Sequence, residues 1–387
     1  MRFQAKESYC KFLMIDSPNN VFVLDGQEWS ELLELYISVT KLTHIPESIC
    51  KLSMLEVLQL CNNSLSGQIP SRLGNSSKLR TLSFYGNFMT GEIPKYLGRS
   101  SELIAVDLSE NRLSGPIPSG VCNGGKLMCF LALENNLSGI LHQNLGEFHP
   151  LVRFRVSHNN LEGSIPEGLL RHPHVSVLDF GYNKFSGGIP NCIGSAGNLS
   201  ELFLQNNKIS GSIPNEISGA TKQVKIDLSF NSLSSPIPRE IHHLKNLNKL
   251  DLHGNNLSSS IPATLSAIKS LKVLDLSSNL LTGTIPENLS YLEQTFINLS
   301  GNHISEPIPI GFLAGGQLES FSGNKALCVP VYVNQSIPNC SQSSNRKLLS
   351  VIWSVSVVVF LVMVAAFLLL RRRLLNGSGK LSPFPYG

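Results

Sequence analysis

The sequence predicts an α/β-type solenoid, in which short coils of chain stack and each coil adds one strand to a parallel β-sheet. An asparagine recurs at constant spacing, as at Asn63, Asn87 and Asn111, through to Asn279, and Asn302 follows one position early. The same order of aliphatic residues surrounds each asparagine, as in LKVLDLSSNLLTGTIP and LIAVDLSENRLSGPIP. Only 15% of the 387 residues are charged, whereas 31 glycines and 21 prolines supply turns. This periodicity and composition are typical of a repeat array.

The repeated pattern, LxxLxLxxNxLxGxIP, is a leucine-rich repeat of the length expected for that class. Its LxL segment predicts a strand with inward leucines, because each coil can bury apolar residues only against its neighbours. The asparagine amide can satisfy backbone groups in the bend that follows, and glycine and Ile-Pro shape the return path. We expect a right-handed superhelix with the parallel sheet on its concave face.

Some coils depart from the repeated pattern, and the pattern weakens at the N-terminal end of the array. Ser235, Ser259 and Glu306 replace the glycine, and His142 replaces the proline. The first coil, LYISVTKLTHIP, has Thr40 at the asparagine position and is one residue short. We therefore expect an irregular segment over 1–31, about twelve repeats over 32–312, and a C-terminal cap with a juxtamembrane segment over 313–345.

The segment after the repeats predicts a secreted, membrane-anchored protein. Cys328 and Cys340 bracket a proline-containing stretch and are expected to form a disulfide in an oxidising compartment. Positions 348–370 form an uninterrupted, uncharged apolar run, which is long enough to cross a bilayer as a helix. Three arginines follow it and favour a cytoplasmic tail over 371–387. The chain is thus expected to be a single-pass plasma-membrane protein with extracellular repeats.

Sequons before the apolar run support an extracellular glycoprotein, although a Ser- and Asn-rich repeat also generates them by chance. The glycosylation candidates are Asn62, Asn75, Asn136, Asn198, Asn256, Asn288, Asn298 and Asn334.

Other functional classes find little support in the sequence. A net charge of +4, spread evenly, does not suggest nucleic-acid binding. Histidines and cysteines show neither metal-ligand spacing nor a catalytic arrangement, so we expect no metal, no cofactor and no enzyme. The short stretch after Arg373 contains no kinase motif, and the N-terminus lacks an apolar stretch long enough for a signal peptide.

The GxIP form of the repeat, the closing SFSGNKALCVP and the apolar run resemble plant leucine-rich-repeat receptor-like kinases, with their plant-specific repeat. LVRFRVSHNNLEGSIP and VLDLSSNLLTGTIPENLS are most similar to subfamily XI, which contains peptide-hormone receptors, and within it to receptors for C-terminally encoded peptides (CEP receptors). The resemblance covers residues 30–375. The family's signal peptide, N-terminal cap, further coils and cytoplasmic Ser/Thr kinase are not recognised, so the chain looks like a truncated receptor or an incomplete gene model.

Two arginines, Arg153 and Arg155, stand one residue apart in LVRFRVSHNN. Strand alternation places both on the concave face, with Phe154 and Val156 inward. Side chains two apart lie roughly 6.5–7 Å apart, so both can converge on one carboxylate. The resemblance implies that the pair captures the C-terminal carboxylate of a secreted, CEP-like peptide, and that a leucine-rich-repeat co-receptor kinase is a further partner. The alternative is a structural salt bridge between Arg155 and Asp179 of the next coil.

The same counting places further side chains on the concave face. These candidate contacts are Ser157, Tyr85, Leu131, Leu133, Asp179, Phe203, Gln205, Lys225, Lys249 and His253. The aspartates at 107, 179, 227, 251 and 275 belong to the LDLSxN consensus and are interpreted as structural. Two other hypotheses stay open: a defence-type inhibitor that binds a folded protein through broad patches, and a non-functional receptor-kinase gene fragment.

Overall fold

The computed structural model describes residues 12–15, 30–39, 41–147, 150–292, 294–313, 318–329, 337, 339–340, 359 and 362–369. The chain divides into two compact units, Met1–Cys328 and Val329–Gly387. The first unit contains the repeats. Most coils run through a strand, a tight bend, a second strand and a short helix, whereas the coils of Thr81–Ser83 and Ala105–Asp107 have turns in place of the helix.

The first sheet has 13 parallel strands, and each strand pairs with the equivalent strands of the coils before and after it. Numbered in chain order over both sheets, its strands are β1 (Phe12–Ile15), β2 (Glu34–Ile37), β3 (Val57–Gln59), β5 (Thr81–Ser83), β7 (Ala105–Asp107), β9 (Cys129–Leu131), β11 (Arg153–Arg155), β13 (Val177–Asp179), β15 (Glu201–Phe203), β17 (Lys225–Asp227), β19 (Lys249–Asp251), β21 (Val273–Asp275) and β23 (Phe296–Asn298).

The return path predicted for the glycine and Ile-Pro segment is itself a second, 12-stranded parallel sheet. Its strands are β4 (Ser66–Gln68), β6 (Phe88–Glu92), β8 (Arg112–Gly115), β10 (Asn136–Ile140), β12 (Asn160–Gly163), β14 (Lys184–Gly187), β16 (Lys208–Gly211), β18 (Ser232–Pro236), β20 (Asn256–Ser260), β22 (Leu280–Gly283), β24 (His303–Pro307) and β25 (Ala326–Cys328). Strand pairing therefore satisfies the backbone on both sides of the bend.

Short helices complete the coils. Most begin directly after the proline of Ile-Pro, as at Pro190 (φ −72°) and Pro238 (φ −64°), because the fixed φ of proline suits helix entry. The 3₁₀ helices are Glu47–Lys51, Ser71–Asn75, Gln143–Gly146, Asn191–Ser195, Asn215–Gly219, Arg239–His243, Ala263–Ala267, Glu287–Tyr291 and Leu318–Phe321, and the α-helices are α1 (Glu167–Leu170) and α2 (Ile310–Leu313).

The core is a continuous stack of aliphatic and aromatic side chains between the two sheets. Phe154 and Val156 are fully buried, which confirms their predicted inward orientation. The Phe154 ring lies 5.3 Å from that of Phe130 and 5.9 Å from that of Phe180. The strand that carries Arg153 and Arg155 therefore rests on a well-packed aromatic stack.

A ladder of asparagine side chains connects successive coils. Asn159 Nδ2 donates to the carbonyls of Ala132 (2.8 Å), Val156 (3.1 Å) and Ser157 (3.2 Å). Its Oδ1 accepts from the backbone N–H of Leu137 (2.9 Å). One amide thus satisfies backbone groups of two coils that the bend would otherwise leave unpaired.

The repeat array is longer at both ends than the sequence predicted. Strand β1 lies within the segment expected to be irregular and pairs in parallel with β2. At the other end, Asn324 continues the asparagine ladder, because its Nδ2 donates to the carbonyls of Leu299 and Phe321, both at 3.0 Å. Strand β25 follows it, so one further coil forms within the predicted cap over 313–345. Thr40 lies outside the described residues.

The predicted apolar span over 348–370 lies largely outside the described residues, and the predicted tail over 371–387 lies wholly outside them. Among the residues that the structure describes, no helix combines the length and apolarity needed to cross a membrane.

In the second unit, Cys340 N donates to Val329 O at 2.8 Å. Cys328 and Cys340 are each disulfide-bonded.

Removing one ladder amide should weaken the solenoid. Asn159→Ala deletes the ladder hydrogen bonds of that side chain and leaves their backbone partners buried. We expect a loss of about 2–4 kcal/mol in unfolding free energy, measured by urea denaturation. Asn160→Ala is the matched control, since Asn160 is exposed and its removal should cost less than about 0.5 kcal/mol. Equal effects of the two substitutions would contradict a structural role for the ladder.

One core position conflicts with its surroundings. Gln223 is fully buried, and neither its amide nitrogen nor its amide oxygen has a hydrogen-bond partner among the described residues. The equivalent residues of the neighbouring coils, Leu199 and Leu247, are buried leucines. Gln223 therefore carries an uncompensated desolvation cost.

We expect Gln223→Leu to raise the unfolding free energy by about 1–3 kcal/mol, because it removes that cost and adds buried apolar surface of similar volume. The measurement is the thermal midpoint of the full chain. The reverse substitution one coil later, Leu247→Gln, should lower the midpoint. A lower midpoint for Gln223→Leu would show that the glutamine makes a stabilising interaction.

Candidate ligand-binding surface

The exposed side of the first sheet, here called the sheet face, is the face predicted to be concave. Backbone register aligns its side chains in three rows that run along the array. Row one contains Cys129, Arg153, Val177, Glu201, Lys225 and Lys249. Row two contains Leu131, Arg155, Asp179, Phe203, Asp227 and Asp251, and it continues to Asp275 and Asn298. Row three, just past the strands, contains Leu133, Ser157, Gly181, Gln205, Ser229 and His253.

Arg155 forms the salt bridge that the sequence left as an alternative. Its Nε and Nη2 donate to Asp179 Oδ2 at 3.2 and 3.0 Å. Ser157 Oγ donates to the same oxygen at 2.9 Å. The Asp179 side chain is only 6% exposed, whereas that of Arg155 is 39% exposed. The ion pair therefore compensates a buried carboxylate and leaves part of the guanidinium at the surface.

Arg153 has a different environment, although it lies on the same face. Its neighbours in row one are Cys129 and Val177, neither of which carries a negative charge. Arg153 is exposed, and among the described residues its side chain has no ion-pair or hydrogen-bond partner. Burial raises the pKa of the Cys129 thiol, against an opposing effect of the Arg153 charge.

Counting formal charges shows what this part of the surface can attract. Arg153 and Arg155 contribute two positive charges and Asp179 contributes one negative charge. The group has a net charge of about +1, concentrated on Arg153, which has no acidic neighbour in its row. It matches a single carboxylate.

Apolar and aromatic side chains flank the arginines on the side of the earlier coils. Leu131 and Leu133 are half-buried, and Leu131 is the register partner of Arg155. Tyr85, three coils earlier, donates its hydroxyl to Glu110 Oε1 at 2.9 Å. That hydrogen bond raises the pKa of Tyr85. The predicted residues Leu131 and Leu133 thus lie beside the arginines, whereas Tyr85 is distant and has its own partner.

On the side of the later coils, Phe203 is half-buried and is the register partner of Asp179. The Gln205 amide lies against Gly181, where an added Cβ would be 2.6 Å from Gln205 Nε2. A side chain at 181 would therefore have to displace the flexible end of Gln205. Gln205 Oε1 is buried without a hydrogen-bond partner among the described residues.

The predicted lysines are engaged with acids. Lys225 Nζ lies 2.9 Å from Glu201 Oε1. Lys249 Nζ lies 2.9 Å from Asp227 Oδ2 and 3.2 Å from Asp251 Oδ2. Burial opposes the charge on Lys249, but both aspartates outweigh it and raise its pKa. Burial and the Asp227 charge raise the pKa of Asp251. The positive charges of Lys225 and Lys249 are therefore both compensated by neighbouring carboxylates.

Two histidines of the sheet face contact aromatic rings, one by stacking and one edge-on. The His158 ring lies 4.0 Å from that of Tyr182. His253 contacts Phe230 edge-on at 4.5 Å, and its Nδ1 lies 2.6 Å from Ser277 Oγ. Among the described residues, no group of three or more His, Cys, Asp or Glu residues could hold a metal ion.

The sequons differ in accessibility. Asn298 lies in row two, where its Nδ2 donates to Asp275 Oδ2 at 3.2 Å and its Oδ1 accepts from Ser300 Oγ at 2.8 Å. Asn198 is half-buried and donates to Pro173 O at 2.6 Å. Asn334 lies outside the described residues. The exposed acceptors are Asn62, Asn75, Asn136, Asn256 and Asn288.

Sequence reasoning missed several residues of this surface. Glu201 and Glu110 pair with predicted residues, and Cys129 lies beside Arg153. The Glu201–Lys225 pair could have been found, because opposite charges one repeat apart face each other across neighbouring strands. The described clefts of about 560 and 670 Å³ lie along the short helices, away from the sheet face.

Comparison with known proteins agrees with this architecture. Leucine rich repeat models match residues 246–304, and also 54–76, 102–123, 174–196 and 198–220. The chain carries leucine-rich repeats. Over 84 residues it is 53% identical to the receptor protein-tyrosine kinase CEPR1 of Arabidopsis thaliana, a match that spans 21% of this chain and 9% of that protein.

Solved structures give a wider match. The Arabidopsis receptor kinase HAESA, in complex with the peptide hormone IDA and the co-receptor SERK1, is 37% identical with a TM-score of 0.69, over 79% of this chain and 55% of that one. The plant peptide hormone receptor RGFR1, in complex with RGF2, is 31% identical with a TM-score of 0.65, over 78% and 56%. This chain thus covers about half the length of these two receptor chains. The resemblance to plant leucine-rich-repeat receptor kinases is confirmed.

Proposed function

We propose that this chain binds a secreted peptide along the sheet face and captures the peptide's C-terminal carboxylate between Arg153 and Arg155. The observation that carries the proposal is the exposed Arg153 guanidinium, which has no acidic partner among the described residues. It stands beside a second guanidinium that Asp179 holds in place. A carboxylate between them would receive charge-assisted hydrogen bonds from two directions.

The neighbouring surface suits an extended peptide. Strands repeat about every 4.8 Å along the array, and an extended chain advances roughly 3.3 Å per residue. A short peptide can therefore cross several coils. Half-buried Leu131, Leu133 and Phe203 offer apolar contacts within two coils of Arg155. Most other side chains in the three rows are polar or charged, so these residues form a local apolar surface for a ligand.

The relatives support a peptide ligand and a co-receptor. The HAESA and RGFR1 structures contain peptide hormones, and the HAESA complex also contains the co-receptor SERK1. Because 84 residues of the chain are 53% identical to CEPR1, we propose a C-terminally encoded peptide as the ligand and a leucine-rich-repeat receptor kinase as co-receptor. The proposed role of the leucine-rich repeats is binding, and no kinase activity is proposed for them.

We also propose that the repeats are extracellular and that residues 348–370 anchor the chain in the plasma membrane. The uninterrupted apolar run and the three arginines after it support this arrangement. Five exposed sequon asparagines in the repeats are compatible with glycosylation in the secretory pathway.

Arg153→Ala should weaken binding of a synthetic C-terminally encoded peptide roughly 10- to 100-fold, because it removes hydrogen bonds to a charged group. It should also reduce, without abolishing, the preference for a free C-terminal carboxylate over a C-terminal amide, because Arg155 still donates to the carboxylate. The measurement is the dissociation constant of each peptide form on the full chain, captured on a biosensor.

Arg112→Ala serves as the control, since Arg112 is an exposed arginine of the second sheet that stacks on Phe88. It should leave both affinities unchanged. If the unsubstituted chain binds acid and amide forms equally, carboxylate capture is wrong. Failure of both forms to bind would instead favour a partner recognised through broad protein surfaces.

A further inference from the structure

Asp179 has two oxygens with different tasks. Its Oδ1 accepts the backbone N–H of Gly181 at 3.3 Å, and its Oδ2 receives Arg155 and Ser157. The first contact recurs along the array, where an aspartate Oδ1 accepts the N–H two residues ahead. It is made by Asp107, Asp227, Asp251 and Asp275. The Oδ1 contact is thus a repeated structural feature, whereas within the described part of the array the contact between an arginine and such an aspartate occurs at Asp179.

The arginine contact fixes one edge of a guanidinium. A guanidinium has five N–H donors, and Asp179 takes one at Nε and one at Nη2. The remaining three, including both at Nη1, are left for another partner. Because Arg155 is 39% exposed, part of the guanidinium can reach a ligand.

Ser157 contributes to the rigidity of this arrangement. It is buried, and its hydroxyl donates to the same Asp179 oxygen at 2.9 Å. The strands themselves set the spacing, since Arg155 and Asp179 are register partners. A side chain held in one geometry before binding loses less conformational entropy when the ligand arrives.

We propose that Asp179, supported by Ser157, is a positioning residue that holds the Arg155 guanidinium in the orientation needed to receive a ligand carboxylate. In this division of roles, Arg153 supplies most of the electrostatic attraction, and Arg155 supplies directed hydrogen bonds. The inference rests on the proposed capture of a peptide carboxylate and assigns a role to a residue that the repeat consensus explains only structurally.

Asp179→Asn separates positioning from simple charge attraction, because the two predict opposite changes in the affinity for an anionic ligand. The substitution keeps an Oδ1 acceptor for Gly181, as Asn298 does at the equivalent position of its own coil by accepting from Ser300 N at 3.2 Å. It replaces Oδ2 with an amide that cannot accept from Arg155. The net charge of the arginine group rises from about +1 to about +2, so attraction by charge alone would strengthen the binding of an anion.

Positioning predicts the reverse. We expect the free-acid form of a synthetic C-terminally encoded peptide to bind Asp179→Asn roughly three- to tenfold more weakly, since the guanidinium must now be ordered on binding. The C-terminal amide form should bind as it does to the unsubstituted chain. Ser157→Ala, which preserves every charge, should give a smaller loss in the same direction.

Asp275→Asn is the matched control. Asp275 lies in row two, four coils from Asp179 or about 19 Å along the sheet, beyond the Debye length at physiological salt, and should change neither affinity. Tighter or unchanged binding of the acid form by Asp179→Asn, or equal losses for acid and amide, would overturn the positioning role while leaving carboxylate capture intact. If the unsubstituted chain does not prefer the acid form, the proposed function itself fails.

Discussion

The asparagine ladder is the interaction on which the rest of this structure depends. Each amide donates to carbonyls of its own coil and of the coil before it, and accepts one N–H from that earlier coil. A bend at that point would otherwise bury unpaired backbone groups. Because the ladder contacts recur from coil to coil, as at Asn111, Asn159 and Asn207, the coils align at a fixed offset. Residues one repeat apart therefore face each other, and alternation decides which side chains reach the surface.

That fixed offset determines the electrostatics of the sheet face. Arg155 meets Asp179, and Lys225 meets Glu201, because each pair is one coil apart. Most charges on the face are consequently compensated by their neighbours. Arg153 differs because its register partners are Cys129 and Val177. Among the residues that the structure describes, the exposed Arg153 side chain forms no ion pair, and this is why we propose it as the main attraction for an anion.

The repeat period was sufficient to predict much of this molecule. It located the strands of the first sheet, the inward Phe154 and Val156, and the shared orientation of Arg153 and Arg155. It did not reveal the second sheet, since the strands of that sheet are short, rich in Ser and Gly, and carry no run of alternating apolar residues. It also missed β1 and the coil around Asn324, where the surrounding consensus is weak.

The candidate site was predictable in position but not in detail. Alternation treats Arg153 and Arg155 alike, whereas the structure separates an exposed cation from a held one. That difference depends on side-chain rotamers and on the neighbours in each row. The two contacts of Asp179 are hidden for the same reason, because the LDLSxN consensus accounts for only one of its oxygens. Likewise, the sequence pattern alone does not show that the buried Gln223 amide lacks partners among the described residues.

Carboxylate capture by Arg153 and Arg155 is best tested by a structure of the full chain with a bound C-terminally encoded peptide. We expect the terminal carboxylate to lie within hydrogen-bonding distance, about 2.7–3.0 Å, of Arg153 and of the Arg155 edge that Asp179 leaves free. The contact between Asp179 and Arg155 Nε should persist in that complex. A peptide terminus bound elsewhere would rule out carboxylate capture by these arginines, and loss of the contact between Arg155 and Asp179 in the complex would rule out the positioning role of Asp179.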